Sequence, residues 1–127
     1  MTCAGENDQQ LEDDAVLLRR VRPDQIVDDQ NLGARRPSSA PFKDTQMSVD
    51  AEPILRSLGL DKSFSLSKHQ GYSLVGFTAG VARAYQQVVV VTPEDSNPAH
   101  TEVRGKKTQA TANALRDASA WLHLEPK

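Results

Sequence analysis

Apolar and polar positions are unevenly spaced along the 127-residue chain, and their pattern separates a polar start from a body of short elements. Residues 1–14 lack apolar periodicity and predict a disordered acidic arm, followed by a single domain over 15–124. Val16, Leu17, Leu18 and Val21 form a short apolar run that closes at Pro23, which predicts a strand with Arg19, Arg20 and Arg22 at its exit. Residues 29–42 are rich in Gly, Pro and Ser and predict one long loop, with Arg35 and Arg36 at its middle. Loops of that length in compact domains tend to be functional or disordered. The stretch 47–50 predicts a short strand entering a two-turn helix. There Asp50 is the expected N-cap, Glu52 and Pro53 suit the first turn, Ile54, Leu55 and Leu58 face the core, and Gly59 ends the helix.

Phe64 and Leu66 alternate with serines, the pattern of a half-buried strand over 63–67. Residues 72–80 predict another strand, and 81–85 fit either its continuation or a helical turn. Four consecutive valines, Val88 to Val91, imply burial on both faces and so a central strand. Residues 93–98 read as a turn, and 99–103 as a strand returning beside the valines. Gly105 ends that strand and Thr108 caps the last helix, whose expected stripe is Thr111, Ala114, Leu115, Ala118, Trp121 and Leu122. The sum is an α+β fold. It is a single small domain with a mixed or mainly antiparallel sheet of four to six strands, the C-terminal helix packed on one face and the shorter helix beside it.

Composition narrows the core. With hydrophobic residues at 38% and only Phe42, Phe64, Tyr72, Phe77, Tyr85 and Trp121 aromatic, it must rest on Val, Leu and Ala. Charge then separates the ends. Residues 1–18 hold five acidic groups and no Lys or Arg, leaving 15 basic and 12 acidic residues in the remainder. That small surplus does not form the concentrated basic face of a nucleic-acid binder, so nucleic acid is possible as a partner but not favoured. Cys3 is the one cysteine, which rules out an internal disulfide and any cysteine-based metal site. No apolar run approaches the roughly 20 residues of a membrane span, and the start lacks the basic and apolar regions of a signal peptide. These features predict a cytoplasmic protein without a membrane partner. No metal and no cofactor are expected.

The candidate chemistry falls into three groups. Gly105, Lys106, Lys107 and Thr108 resemble a phosphate loop but lack its spacing, since His100 occupies the place of the first glycine and a second Lys precedes Thr108. A helix start behind two lysines can still attract an anion, and an ordinary solvated Lys pair beside a Thr cap explains it as well. His100 and Glu102 share one face of their predicted strand and are the catalytic candidates, as a general acid/base pair. Two ligands do not make a metal site. Arg20, Arg35 and Arg36, with Ser38, form an anion- or partner-binding set, in competition with pairing to Asp24, Asp28 or Asp29. Ser38, Ser39 and Ser48 have no identifiable base partner, so no nucleophile stands out.

The blocks RPSSAPF (36–42), MSVD (47–50), NPAHTEV (97–103) and GKKT (105–108), in that order, resemble those of a group of small uncharacterised bacterial proteins. The resemblance spans most of residues 17–122, implies a bacterial origin and carries no function. Arg20 at a strand exit, Ser48 on a strand and Glu102 on a late strand are also similar in order to ADP-ribosyltransferase-type folds, although the chain is short for one. The expected function is a non-enzymatic binding or accessory module for a protein partner or a small anionic ligand. Its surface would combine the 35–39 loop with His100, Glu102, Lys106 and Lys107. The alternatives are a small enzyme acting on a phosphate- or NAD-like substrate and a weak nucleic-acid-binding module. Oligomeric state is left open.

Overall fold

The computed structural model describes residues 11–126. Cys3 and most of the expected acidic arm, residues 1–10, lie outside the described residues, as does Lys127. Within it, Leu11 packs against the core and the Asp13 carboxylate accepts from Arg83 at 2.7 Å. Gly80 N–H donates to the Asp13 carbonyl at 2.8 Å, so residues 11–14 are joined to the fold.

The fold is α+β, with an antiparallel six-stranded sheet in the order β6 (Val88–Val91), β7 (His100–Arg104), β4 (Gln46–Ala51), β1 (Val16–Val21), β5 (Ser73–Thr78) and β8 (Ala120–His123). A separate hairpin joins β2 (Ile26–Asp29) to β3 (Ala34–Pro37). The helices are α1 (Glu52–Ser57), α2 (Lys62–Leu66), α3 (Ala79–Ala84) and α4 (Gln109–Ala118).

The pleat gives the two faces of the sheet different cores. Leu17 stands opposite Ala51 and Phe77, and together with Met47, Val75, Val89 and Val103 these residues meet Ala79, Ala82, Ala112 and Leu115 of α3 and α4. The next residue, Leu18, stands opposite Asp50 and Gly76, and packs on the other face with Leu55, Leu74 and Ala99. Phe64 and Leu66 of α2 cover that smaller cluster. Thus α4 lies on one face as expected, while α1 and α2 lie on the opposite face.

Several expectations are corrected. Residues 63–67 are helical because Asp61 caps them: its carboxylate accepts from the Ser63 N–H at 2.9 Å and the Ser63 hydroxyl at 2.5 Å. Asp50 is no N-cap. It lies within β4 with its side chain buried, and Ala51, the last residue of the strand, takes the cap position. At the far end α1 closes as expected, in a Schellman motif, with Gly59 at φ +74° and Leu60 N–H donating to the Leu55 carbonyl.

The valine strand β6 is an edge strand. Val89 and Val90, on opposite faces, are both buried there, Val89 beneath Ala79 and Ala82 of α3, so burial on both faces did not require a neighbouring strand on each side. Residues 81–85 resolve mostly into α3, capped by the Thr78 hydroxyl at the Val81 N–H. The predicted loop 29–42 is a hairpin followed by a 3-10 turn. The Asp29 carboxylate organises the hairpin's end by accepting from Asn31 and Leu32 N–H, and Gly33 supplies φ +65°. The last helix ends at Ala118, short of the expected stripe. Ser119 turns the chain to extended backbone, and Trp121 and Leu122 belong to β8, which pairs with the otherwise open edge of β5.

Candidate functional site

The sheet places one set of polar side chains on the less covered face. Ser48 pairs directly with Glu102, and Asp50 with His100, across β4 and β7. Directly opposed residues of an antiparallel pair project to the same face. Arg20, two residues beyond Leu18 on β1, joins them there. Beside this row, α2 with the residues after it and the 94–97 turn form the walls of a cleft of about 300 Å³. Its lining includes Arg20, Ser48, Asp50, Phe64, Ser65, Lys68, His69, Asn97 and His100.

Asp50 is the keystone of the cleft. It is 2% exposed, and its carboxylate accepts from the Ser65 hydroxyl at 2.5 Å and from the Asn97 amide at 2.7 Å. Arg20 Nη1 lies 3.6 Å from the same carboxylate and donates to the Ser65 carbonyl at 3.3 Å. A buried carboxylate needs such compensation, because removal from water penalises its charge. Through these bonds it ties α2 and the 94–97 turn to β4. Both contacts of Arg20 use one nitrogen, so among the described residues its Nε and Nη2 donors are left for a ligand.

His100 is held on both ring nitrogens. Its Nδ1 lies 3.1 Å from the Thr92 carbonyl and 2.8 Å from the Thr92 hydroxyl, while Nε2 lies 3.3 Å from Ser48 Oγ. Ser48 therefore has a histidine within hydrogen-bonding reach, a partner the sequence did not identify. Alternation along two strands contains the signal, but reading it requires the register of strands some fifty residues apart. Glu102, the expected acid/base partner, has its carboxylate on Arg104 at 2.8 Å.

Beside Arg20, the His69 imidazole is held below its ordinary pKa, by burial first and then by the Arg20 charge, with Asp50 opposing. Replacing Arg20 by Gln should raise the His69 titration midpoint, read from its ring proton shifts by NMR at low salt. An unmoved midpoint would place the guanidinium charge away from His69.

The other expected site residues are distributed elsewhere. Arg36 Nε pairs with Asp29 at 2.7 Å, and Arg35 Nη2 donates to the Glu125 carbonyl at 2.8 Å. Ser38 Oγ accepts from the Ala40 N–H, and Ser39 Oγ accepts from the Gln109 amide. Among the described residues, no hydrogen bond or ion pair joins Arg35 or Arg36 to His100 or Glu102. A hollow of about 410 Å³ at Arg35 sets one cationic residue against two acidic ones, Asp28 and Glu125, whereas the cleft sets Arg20, Lys68 and two histidines against Asp50 and Glu94. Lys107 folds back onto the Val103 carbonyl at 2.8 Å and the Thr45 and Gly105 carbonyls at 3.3 Å. Burial pushes its amine down to about 8. Lys106 is exposed, and Thr108 caps α4 through the Thr111 N–H at 3.1 Å.

Among the described residues no three His, Cys, Asp or Glu side chains are grouped to hold a metal, and no helix is long and apolar enough to cross a membrane. No protein-family model matches this chain, and no curated protein or solved structure matches it.

Proposed function

We propose that the protein is a binding module for a small anionic ligand, seated in the cleft between Arg20 and His100. One observation carries this reading: Arg20, Lys68, His69 and His100 line the cleft together with Ser48 and Ser96, and outnumber its two acidic residues, Asp50, already satisfied by Ser65 and Asn97, and Glu94. The volume sits at the lower end of small-molecule sites, about 300–1,000 Å³. Arg20 offers two unused nitrogens at the fixed spacing that suits a carboxylate or phosphate. Asp50 fixes Arg20 without consuming those donors, and Phe64 supplies an apolar wall for a ligand's carbon skeleton.

Calorimetric titration with adipate and with phenyl phosphate separates the two anion types. At least one should bind, and Arg20→Gln should weaken it about tenfold or more, the value of a charge-assisted hydrogen bond of roughly 1.5–3 kcal/mol. Arg36→Gln, which lies outside the cleft, should leave the affinity unchanged. If neither anion binds, or if Arg36→Gln weakens binding as much as Arg20→Gln, the cleft is not the site.

A further inference from the structure

We infer that Ser48 is a nucleophile activated by His100, and that the cleft hydrolyses small anionic esters; the substrate class rests on the anion-binding reading above. The argument starts from the histidine. A backbone carbonyl oxygen can only accept, and on the 3.1 Å contact of Nδ1 with the Thr92 carbonyl the ring proton is assigned to Nδ1. The Thr92 hydroxyl at 2.8 Å shares that donor. Nε2 is then an acceptor, and the atom it faces at 3.3 Å is Ser48 Oγ, whose proton it receives. This is a nucleophile, a base and a group that orients the base, in the order acyl-transfer chemistry needs. The Ser48–His100 distance is long for a hydrogen bond and still within the range of a resting pair that tightens around a substrate.

The elements that hold the pair are rigid. Ser48 and His100 lie on adjacent central strands, two residues apart in the cross-strand register, and Thr92 follows β6 directly. Both side chains line the cleft and are partly exposed, so a substrate can reach them. Arg20 lines the same wall with free donors to hold the substrate's own anionic group beside the pair.

The reaction balances without a further reagent. Ser48 Oγ bonds to the ester carbonyl carbon while its proton passes to His100 Nε2. The tetrahedral oxyanion collapses, the ester C–O bond breaks, and the alcohol leaves with the proton from His100. Water then attacks the acyl-serine, again giving its proton to Nε2. The acid is released as that proton returns to Ser48 Oγ.

The test uses the full chain, an alkyl fluorophosphonate and mono-p-nitrophenyl adipate, whose free carboxylate suits Arg20. The fluorophosphonate should modify the wild-type protein once, at Ser48 by peptide mapping, and should leave Ser48→Ala unmodified. For the adipate ester, Ser48→Ala and His100→Gln should each lower kcat/KM by about a hundredfold or more. Arg20→Gln should act mainly through KM. Circular dichroism checks that each variant is folded. His100→Asn, which can still donate to Thr92 but lacks a basic nitrogen, should be as inactive as His100→Gln. Wild-type protein that binds adipate but is neither labelled at Ser48 nor active would overturn this inference and leave the binding reading standing. Labelling at Ser48 without any anion binding would keep the nucleophile and overturn the binding reading.

Discussion

Asp50→Ala should lower the stability of the fold by about 3–4 kcal/mol, the range for removing one partner of a buried charge network. In urea this is a fall in midpoint of roughly 2 M, for a slope of about 2 kcal/mol per molar. The size follows from what the carboxylate connects. It is 2% exposed and accepts from the Ser65 hydroxyl on α2 and the Asn97 amide in the 94–97 turn. Arg20 on β1 stands 3.6 Å away as its counter-charge. Alanine leaves two donors without their acceptor and a guanidinium without its partner. Leucine would be no remedy, because the same three groups would still face an apolar side chain. Asparagine keeps an oxygen for Asn97 and a nitrogen for Ser65, so Asp50→Asn should cost less, about 1–2 kcal/mol. An Asp50→Ala protein within about 1 kcal/mol of wild type would mean that Ser65, Asn97 and Arg20 find other partners, and that the cleft walls are held by something else.

The same residue shows where sequence reasoning reached and where it stopped. The apolar runs located β1, β4, β5, β6 and β7, because strand alternation is written locally in the chain. The Thr108 cap and the Gly59 stop were legible for the same reason. Asp50 was not. A carboxylate just before a Glu-Pro pair has the local signature of an N-cap, and only the β1–β4 and β4–β7 registers reveal that it points into the sheet's second face. Residues 63–67 were misread because five positions satisfy a period of two as well as one helical turn, and the deciding signal was the Asp61–Ser63 cap. Ser48 and His100 were each placed on a strand by the sequence, yet their meeting depends on a pairing across 52 positions. Edge or centre for β6 has the same character: composition reports burial, and burial reports packing rather than place in the sheet.

Phe42→Ala should cost about 3–5 kcal/mol, the range for truncating a fully buried aromatic ring, and roughly 10–20 °C in Tm for a domain of this size. Phe42 is 0% exposed in the turn Ala40–Phe42 and meets Phe77 of β5 edge-on, with ring centroids 6.3 Å apart at 68°. It belongs to the larger core cluster, with Leu115 of α4 and Leu17, Met47 and Val75 of the sheet. Alanine would leave a void that these neighbours can close only in part, and the lost aromatic contact adds to the cost. Arg19 holds the turn in place from the other side, donating to the Pro41 carbonyl at 2.8 Å, so the backbone is poorly placed to collapse inward. Leu32, at the tip of the β2–β3 hairpin and 68% exposed, is the control within the same stretch: Leu32→Ala should change stability by less than about 0.5 kcal/mol. This contrast decides what residues 29–42 are for. A segment serving as a mobile binding loop would tolerate both substitutions, and equal small effects would restore that reading. A large loss at Phe42 beside none at Leu32 makes the second half of the segment an anchor of the core. The anion-binding role then falls to the cleft at Arg20.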